Sequence, residues 1–298
     1  MTEFSNTILS DYQVRKTKAQ KARFIEFMQK TFPDMKVERG GFGKNQNLIL
    51  GDPKTAKVIV GAHYDTCAAL PFPNFITPKN LLVYILYNLI LLLPMIVLIG
   101  VFTATSNTLY YFAGMLYAIL LFVVMIAGKP NEHTANDNTS GVVALCEIWD
   151  ALTEEERAKC ALVFFDNEEN GLLGSSFYRS SHKKEVKDQL MINLDCISDG
   201  DYLMVIKNAA AKKRYGGIVE GAFEATEGKE MIHTDSSTTI YPSDQANFPV
   251  SVAIAALKKN KVVGYYMDKI HTKHDVNFDE RNIDIISAGV KDIISNIE

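Results

Sequence analysis

Residues 57–65 read KVIVGAHYD, and these nine letters decide the fold. Val58, Ile59 and Val60 are three β-branched residues in succession, which suit a pleated backbone and lose little by being held in it. The apolar run is too short for a helix and carries no polar alternation, so it reads as a strand buried on both faces. It ends in His63, Tyr64 and Asp65, so a core strand delivers ionisable groups to its carboxyl end. Outward along the chain the design recurs in CALVFF (Cys160–Phe165) before Glu168 and Glu169, and in QLMINLDC (Gln189–Cys196), which contains Asp195. Asn47–Leu50, Tyr202–Ile206 and Ser251–Ala255 complete the predicted strands. Helical periodicity predicts helices over Thr7–Phe32, Thr139–Leu152, Leu172–Ser181, Asn208–Ala225 and Ile283–Ile297. Strands alternating with helices imply an α/β fold, with a central mixed, largely parallel sheet flanked by helices.

The pattern is interrupted once. Hydrophobic residues form 47% of the 298-residue chain, but they concentrate in residues 81–101, LLVYILYNLILLLPMIVLIGV, and residues 109–128, LYYFAGMLYAILLFVVMIAG. Neither run carries a charge, and roughly 20 apolar residues in a helix cross a hydrocarbon layer of about 30 Å. The link between them is uncharged and rich in Thr, Ser and Asn, as a tight hairpin requires. The expected organisation is therefore a discontinuous α/β part formed by residues 1–78 and 129–298, with residues 79–128 as a two-helix transmembrane hairpin. Lys79 and Lys129 flank the runs and place both flanks in the cytoplasm. Met1–Arg23 is polar and resembles no secretory signal, so the expectation is a two-span protein of the cell membrane with both termini cytoplasmic. Tyr84, Tyr87, Tyr110, Tyr111 and Tyr117 are candidate interfacial anchors. Asn88 is expected to bond across to the second helix and Pro94 to kink the first. Ala113, Gly114 and Ala118 offer a small-residue surface for helix packing, including association with a second copy of the chain.

Charge excludes one class of partner. With 31 Lys and Arg against 35 Asp and Glu, the formal charge of -4 provides no global field for nucleic acid. The cysteines, Cys67, Cys146, Cys160 and Cys196, form no C-x-x-C pair and read as reduced thiols rather than a disulfide framework.

Candidate chemistry collects at strand ends: His63 and Asp65, Asp137 before a helix, Glu168 and Glu169, Asp195, and His271. Carboxylates brought together there repel one another unless cations neutralise them. Nitrogen and oxygen donors without thiolate suit Zn2+ in a hydrolytic site, with Mn2+ or Co2+ as alternatives.

The ordered segments GAHYD, NDNTSG, FFDNEENGLLGS, NLD and IHTKHD resemble the motifs of the co-catalytic di-zinc aminopeptidases, whose clan includes glutamate carboxypeptidase relatives and glutaminyl cyclases. The resemblance spans nearly the whole chain outside the hairpin. It implies a zinc-aminopeptidase-like fold with two Zn2+ ions: His63 and Asp195 on one, Glu169 and His271 on the other, and Asp137 bridging them. It further implies Glu168 as general base, Asp65 accepting the free N–H of His63, and a cis peptide after Asp137. Tyr241 resembles the tyrosine that supports the oxyanion, although Ser243-Asp244-Gln245 follows where the family often has Ser-Asp-His. His274 is an alternative ligand to His271, and His133 reads as a loop or pocket residue. The implied activity is removal of N-terminal residues from peptides; the hairpin, inserted between His63 and Asp137, adds the expectation of hydrophobic or membrane-associated peptides beside a lipid bilayer. Glutaminyl cyclase action and a non-catalytic membrane receptor or scaffold are the alternatives.

Overall fold

The computed structural model describes residues 1–224 and 228–297. Where one opening helix is predicted over Thr7–Phe32, the chain forms two, α1 (Glu3–Asp11) and α2 (Lys18–Thr31). Thr17 makes the break: its side chain accepts from the Gln20 N–H while the Gln20 side chain accepts from the Thr17 N–H, a reciprocal cap that starts a new helix. Strands β1 (Lys36–Gly40), β2 (Asn45–Gly51) and β3 (Val58–His63) follow. Two long helices come next, α3 (Leu81–Thr105) and α4 (Thr108–Ala127). The remainder is α5 (Gly141–Ala151), α6 (Glu154–Lys159), β4 (Cys160–Phe165), α7 (Leu173–Ser181), β5 (Leu190–Leu194), β6 (Tyr202–Lys207), α8 (Ala209–Ala222), β7 (Glu230–Asp235), β8 (Ser251–Asn260), β9 (Gly264–Tyr266) and α9 (Glu280–Asn296). Ala225, the last residue of the helix predicted over Asn208–Ala225, lies outside the described residues.

The sheet order is β1-β2-β4-β3-β5-β8-β6-β7, with β9 paired to the far end of β8. Its centre, β4-β3-β5-β8, is parallel, and antiparallel pairings join β1 and β2 on one side and β6 on the other. Alternate residues of the same strands feed two cores. Val58, Val60, Leu162, Phe164, Leu190 and Ile192 face the helix layer containing Phe24, Val143, Ile286 and Val290. Ile59, Val163, Phe165 and Met191 face the opposite layer with Tyr178 and Phe248. This two-sided burial is why the central strands have no polar alternation. The edge strands β1 and β7, and the short β9, escape sequence reading because half-exposed residues and interspersed charges dilute their apolar pattern.

The first hairpin helix runs past its predicted end at Val101 to Thr105 and the second begins one residue early, with Ser106 and Asn107 alone between them. No residue of α3 is buried, and in α4 only Gly114 is. Both helices are long and apolar enough to cross a membrane. Gly114 lets them approach: a Cβ there would meet Leu98 Cβ and the Met95 carbonyl oxygen, each at 3.5 Å. Asn88 donates to the Tyr84 carbonyl of its own helix, not across the hairpin as expected. Instead Tyr117, placed mid-helix rather than at an interface, donates across to the Leu91 carbonyl at 2.8 Å. The tyrosine spans the gap between helices, which the shorter Asn88 spends on its own turn.

Gly141 sets the approach of α5 to β5, since a Cβ there would lie 2.5 Å from the Leu194 carbonyl oxygen, a backbone atom that cannot swing aside. Gly141→Ala is expected to lower stability by about 1–3 kcal/mol through overpacking, read as a drop in thermal unfolding midpoint.

Candidate metal centre

Each candidate side chain stands where a strand or turn runs out. His63 is the last residue of β3, Asp195 follows β5 directly, and Glu168 and Glu169 sit in the loop after β4. Asp137 lies in the tight turn Ala135–Ser140 that feeds α5, and His271 lies between β9 and α9. All belong to the carboxyl edge of the parallel strands, where ligands of open α/β sheets collect.

The structure brings these residues together. His63 Nε2 lies 3.3 Å from Asp137 Oδ1 and 3.5 Å from Asp195 Oδ1. His271 Nε2 lies 3.0 Å from Asp137 Oδ2 and 3.3 Å from Glu169 Oε2. Asp137 thus turns one oxygen to each imidazole. Glu168 and Tyr241 share with these groups the walls of a cavity of about 130 Å³. Tyr241 is only 8% exposed and donates its O–H to the Asp195 carbonyl at 2.9 Å. His133 and His274 are exposed and join none of the candidate donor groups among the described residues.

Asp65 acts differently from expectation. His63 Nδ1 lies 3.0 Å from the main-chain carbonyl of Asp65, to which its N–H donates, leaving Nε2 free to face the cavity. The Asp65 carboxylate, 3.8 Å from Nδ1, instead accepts the backbone N–H groups of Glu168 at 2.9 Å and Glu169 at 3.3 Å. It therefore orients the two glutamates. The loop backbones are held in demanding shapes: Asn167, Cys196 and His271 adopt left-handed φ angles of 57°, 55° and 58°, conformations costing on the order of 1–3 kcal/mol each for non-glycine residues.

The peptide between Asp137 and Asn138 is cis, as the resemblance implies. Asp275, unassigned in the sequence reading, holds this turn: its buried carboxylate accepts the N–H of Asn136 at 2.9 Å and of Asp137 at 3.0 Å. The signal was present as the final residue of IHTKHD, but nothing in one dimension aims it at residues 136 and 137.

Electrostatics test whether cations fit. Burial pushes Glu168 well above the carboxylate range despite His63, and pushes Glu169 up to about 7, with Asp137 adding repulsion. Asp244 and Asp275 are likewise raised to about 7, chiefly by burial. For His271 burial works downward, but Glu169 and Asp137 outweigh it and hold the imidazole up at about 9. Glu169 Oε1 and Asp195 Oδ1 are buried without a hydrogen-bond donor among the described residues. Surplus negative charge, unpartnered carboxylate oxygens and outward-facing Nε2 atoms are the donor set of a divalent cation site. Cys67 and Cys196 lie within donor range of some of these groups, but burial and the surrounding carboxylates hold their thiols protonated.

Sheet order and donor set define the class, the zinc-aminopeptidase-like α/β proteins. A model of peptidase family M28 matches residues 119–291, more than half of the chain. The chain belongs to peptidase family M28. Among solved structures, the LapA aminopeptidase of Legionella pneumophila matches with a TM-score of 0.57 at 13% identity, over 99% of this chain and 69% of its own. LapB of the same organism matches at 0.58 and 12% identity, over 98% and 69%. A glutaminyl cyclase of Macrostomum lignano matches at 0.57 and 14% identity, over 98% and 88%. These likenesses carry the fold. No curated protein sequence matches the chain.

The raised acids and the raised His271 act in one direction. Stripped of metal, the folded centre retains protons that the unfolded chain has released, so stability falls as pH rises from about 5 to about 9. Asp137, which His271 and His63 pull below its ordinary range despite burial, has delivered its opposing contribution below that window. Chelator-treated protein is expected to melt at a lower temperature at about pH 8.5 than at about pH 5.5, and added Zn2+ to raise the midpoint more at the higher pH, where protons compete least. Differential scanning fluorimetry checks both; a midpoint that rises with pH in the chelated protein contradicts the assignment.

Proposed function

We propose that the chain is a membrane-anchored, zinc-dependent aminopeptidase that removes N-terminal residues from peptides, including hydrophobic or membrane-associated ones. The observation that carries the reading is Asp137 set between two imidazoles, one oxygen to each, with Asp195 and Glu169 completing the two sides. His63 and Asp195 would hold one ion, His271 and Glu169 the other, and Asp137 both. Bound there, divalent ions supply Lewis acidity, polarising the scissile carbonyl and making water nucleophilic at neutral pH.

The remaining roles belong to the protein. Glu168 makes none of the close imidazole contacts of its neighbours, and burial holds it above the ordinary carboxylate range, a setting suited to taking a proton from water and delivering it to the leaving amine. Asp65 aims Glu168 by accepting its backbone N–H, and through its own carbonyl keeps His63 in the tautomer with Nε2 free. Tyr241 stands at the cavity wall, where its O–H would turn from the Asp195 carbonyl to the substrate's carbonyl oxygen as that oxygen gains charge. Carboxylates around the same cavity would take the free α-amino group.

The catalytic part comprises residues 1–78 and 129–298, and residues 79–128 form the anchor. Helices buried in a soluble core do not leave Leu82, Ile90, Leu109 and Phe112 more than 60% exposed, whereas a bilayer covers such surfaces. Lys79 and Lys129 then mark the cytoplasmic side.

Purified full-length protein is expected to cleave N-terminal residues from unblocked peptides and not from N-acetylated ones, with two Zn2+ bound per chain by elemental analysis. Glu168→Gln should keep the metal and lose turnover by roughly a hundredfold or more; full activity in that variant would remove Glu168 from its role. Release of ammonia from an N-terminal glutamine peptide without peptide-bond cleavage would favour cyclase action instead.

A further inference from the structure

The carboxyl edge of the sheet carries a second feature that catalysis does not use. Three separate segments gather there near the roots of α3 and α4: the β8–β9 turn, the β1–β2 turn and the stretch from Lys16 to Lys18. Strand β8 runs past its last pairing with β5, Leu194 with Ile254, and continues to Asn260 before turning back as β9. The tip holds Val262, 84% exposed, next to exposed Lys261. This tip is tied to the start of the hairpin, because Asn80, the N-cap of α3, donates to the Val263 carbonyl at 3.3 Å.

On the other flank, β2 is antiparallel to β4 with Leu48 opposite Phe164, so the β1–β2 turn also emerges beyond the carboxyl end of β4. That turn holds Phe42, 88% exposed, two residues before exposed Lys44. Across a cleft of about 670 Å³ it faces Lys16 and Lys18. Lys16 donates its Nζ to the Ile126 carbonyl at 2.6 Å, at the end of α4, and shares a second cavity of about 480 Å³ with Lys129. The β8–β9 tip is thus bonded to the start of α3, and the β1–β2 turn stands across one cleft from the lysine that is bonded to the end of α4. Two hydrophobic side chains thrust into solvent on separate turns, each near lysine, contribute nothing to either core. They match what an anionic interface rewards: apolar insertion at headgroup depth together with nearby positive charge.

We infer that the catalytic part seats on an anionic phospholipid surface through Phe42 and Val262, with the exposed Lys18, Lys44, Lys129 and Lys261 facing the lipid headgroups. The inference rests on the hairpin crossing the bilayer. It deepens that reading by stating which face of the catalytic part meets lipid: the edge that carries the candidate metal centre. Each lysine near such a surface strengthens association by roughly fivefold, and salt screens the effect.

The test uses the full chain in vesicles of phosphatidylcholine alone or with about a third phosphatidylserine, the latter fraction chosen to give a strong negative surface potential. Val262→Trp and Phe42→Trp are probed by bromolipid quenching. The native Trp149, near the end of α5 that points away from the carboxyl edge, is an internal reference. The introduced indoles are expected to be quenched at least about twice as strongly as Trp149 in anionic vesicles. Neutral vesicles, high salt or the triple change K18E/K44E/K261E should reduce that quenching. Alkaline carbonate extraction is run on the same samples. Protein that resists extraction but shows no excess quenching, or equal quenching with and without anionic lipid, overturns the seat and leaves the hairpin reading standing. Protein released by carbonate overturns the hairpin and the seat together.

Discussion

Mutual repulsion among buried carboxylates is the constraint on which the rest of this structure depends. Glu168, Glu169, Asp137, Asp195, Asp244 and Asp275 are drawn to one edge of the sheet, and two like charges about 4 Å apart cost about 4 kcal/mol at an effective dielectric near 20. A fold of ordinary stability does not absorb several such terms unaided. The chain meets the charge with hydrogen bonds that fix each carboxyl. Asp65 takes the N–H groups of both glutamates, and Asp275 takes those of Asn136 and Asp137. Beneath them Arg15 is fully buried, donating to the Tyr64 carbonyl at 2.5 Å and to Thr139 Oγ1 at 3.1 Å. Burial lowers its pKa to about 10, so it stays cationic at neutral pH beneath Asp65 and Asp137. What these contacts do not neutralise is left facing the cavity, where the proposed cations would complete the balance.

The same edge governs access. α3 and α4 depart between His63 and Asp137, two residues 3.3 Å apart, so the roots of the hairpin stand close to the cavity. Leu70 donates its N–H to the His271 carbonyl at 2.7 Å, and Ile76 exchanges hydrogen bonds with Met267, coupling the segment before α3 to the loop that carries a candidate ligand. On the proposed reading, anchor and catalytic loop are parts of one support. A peptide held at the membrane surface would then meet a cavity already turned toward it, a gain in local concentration requiring no further contact.

Part of the candidate centre was legible from a local signal, a β-branched run before His63, an apolar strand before the two glutamates and another before Asp195, whereas Asp137 and His271 were read through the resemblance of NDNTSG and IHTKHD to family motifs. The hairpin was legible for a cruder reason, since uncharged runs of this length have few other uses. Asp275 and Arg15 were not legible. Both act through backbone groups more than 45 residues away in sequence, and a side chain that serves a distant main chain leaves no spacing to read. The division of labour at Asp65 was hidden for a related reason. Its type fixes neither whether the carboxylate or the carbonyl meets His63 nor that the two glutamate N–H groups will compete for the carboxylate.

Periodicity and residue type alone thus determined the α/β class, the interruption by two apolar helices and the set of ionisable groups at strand ends, because these follow from short-range sterics and from hydrophobic burial repeated along the chain. Tertiary structure decided which oxygen faces which imidazole, how α1 and α2 divide, which polar groups buttress the centre, and which loops stand beside the hairpin. Those outcomes depend on strand register and on loop backbones passing through left-handed conformations, which only the packed sheet can impose.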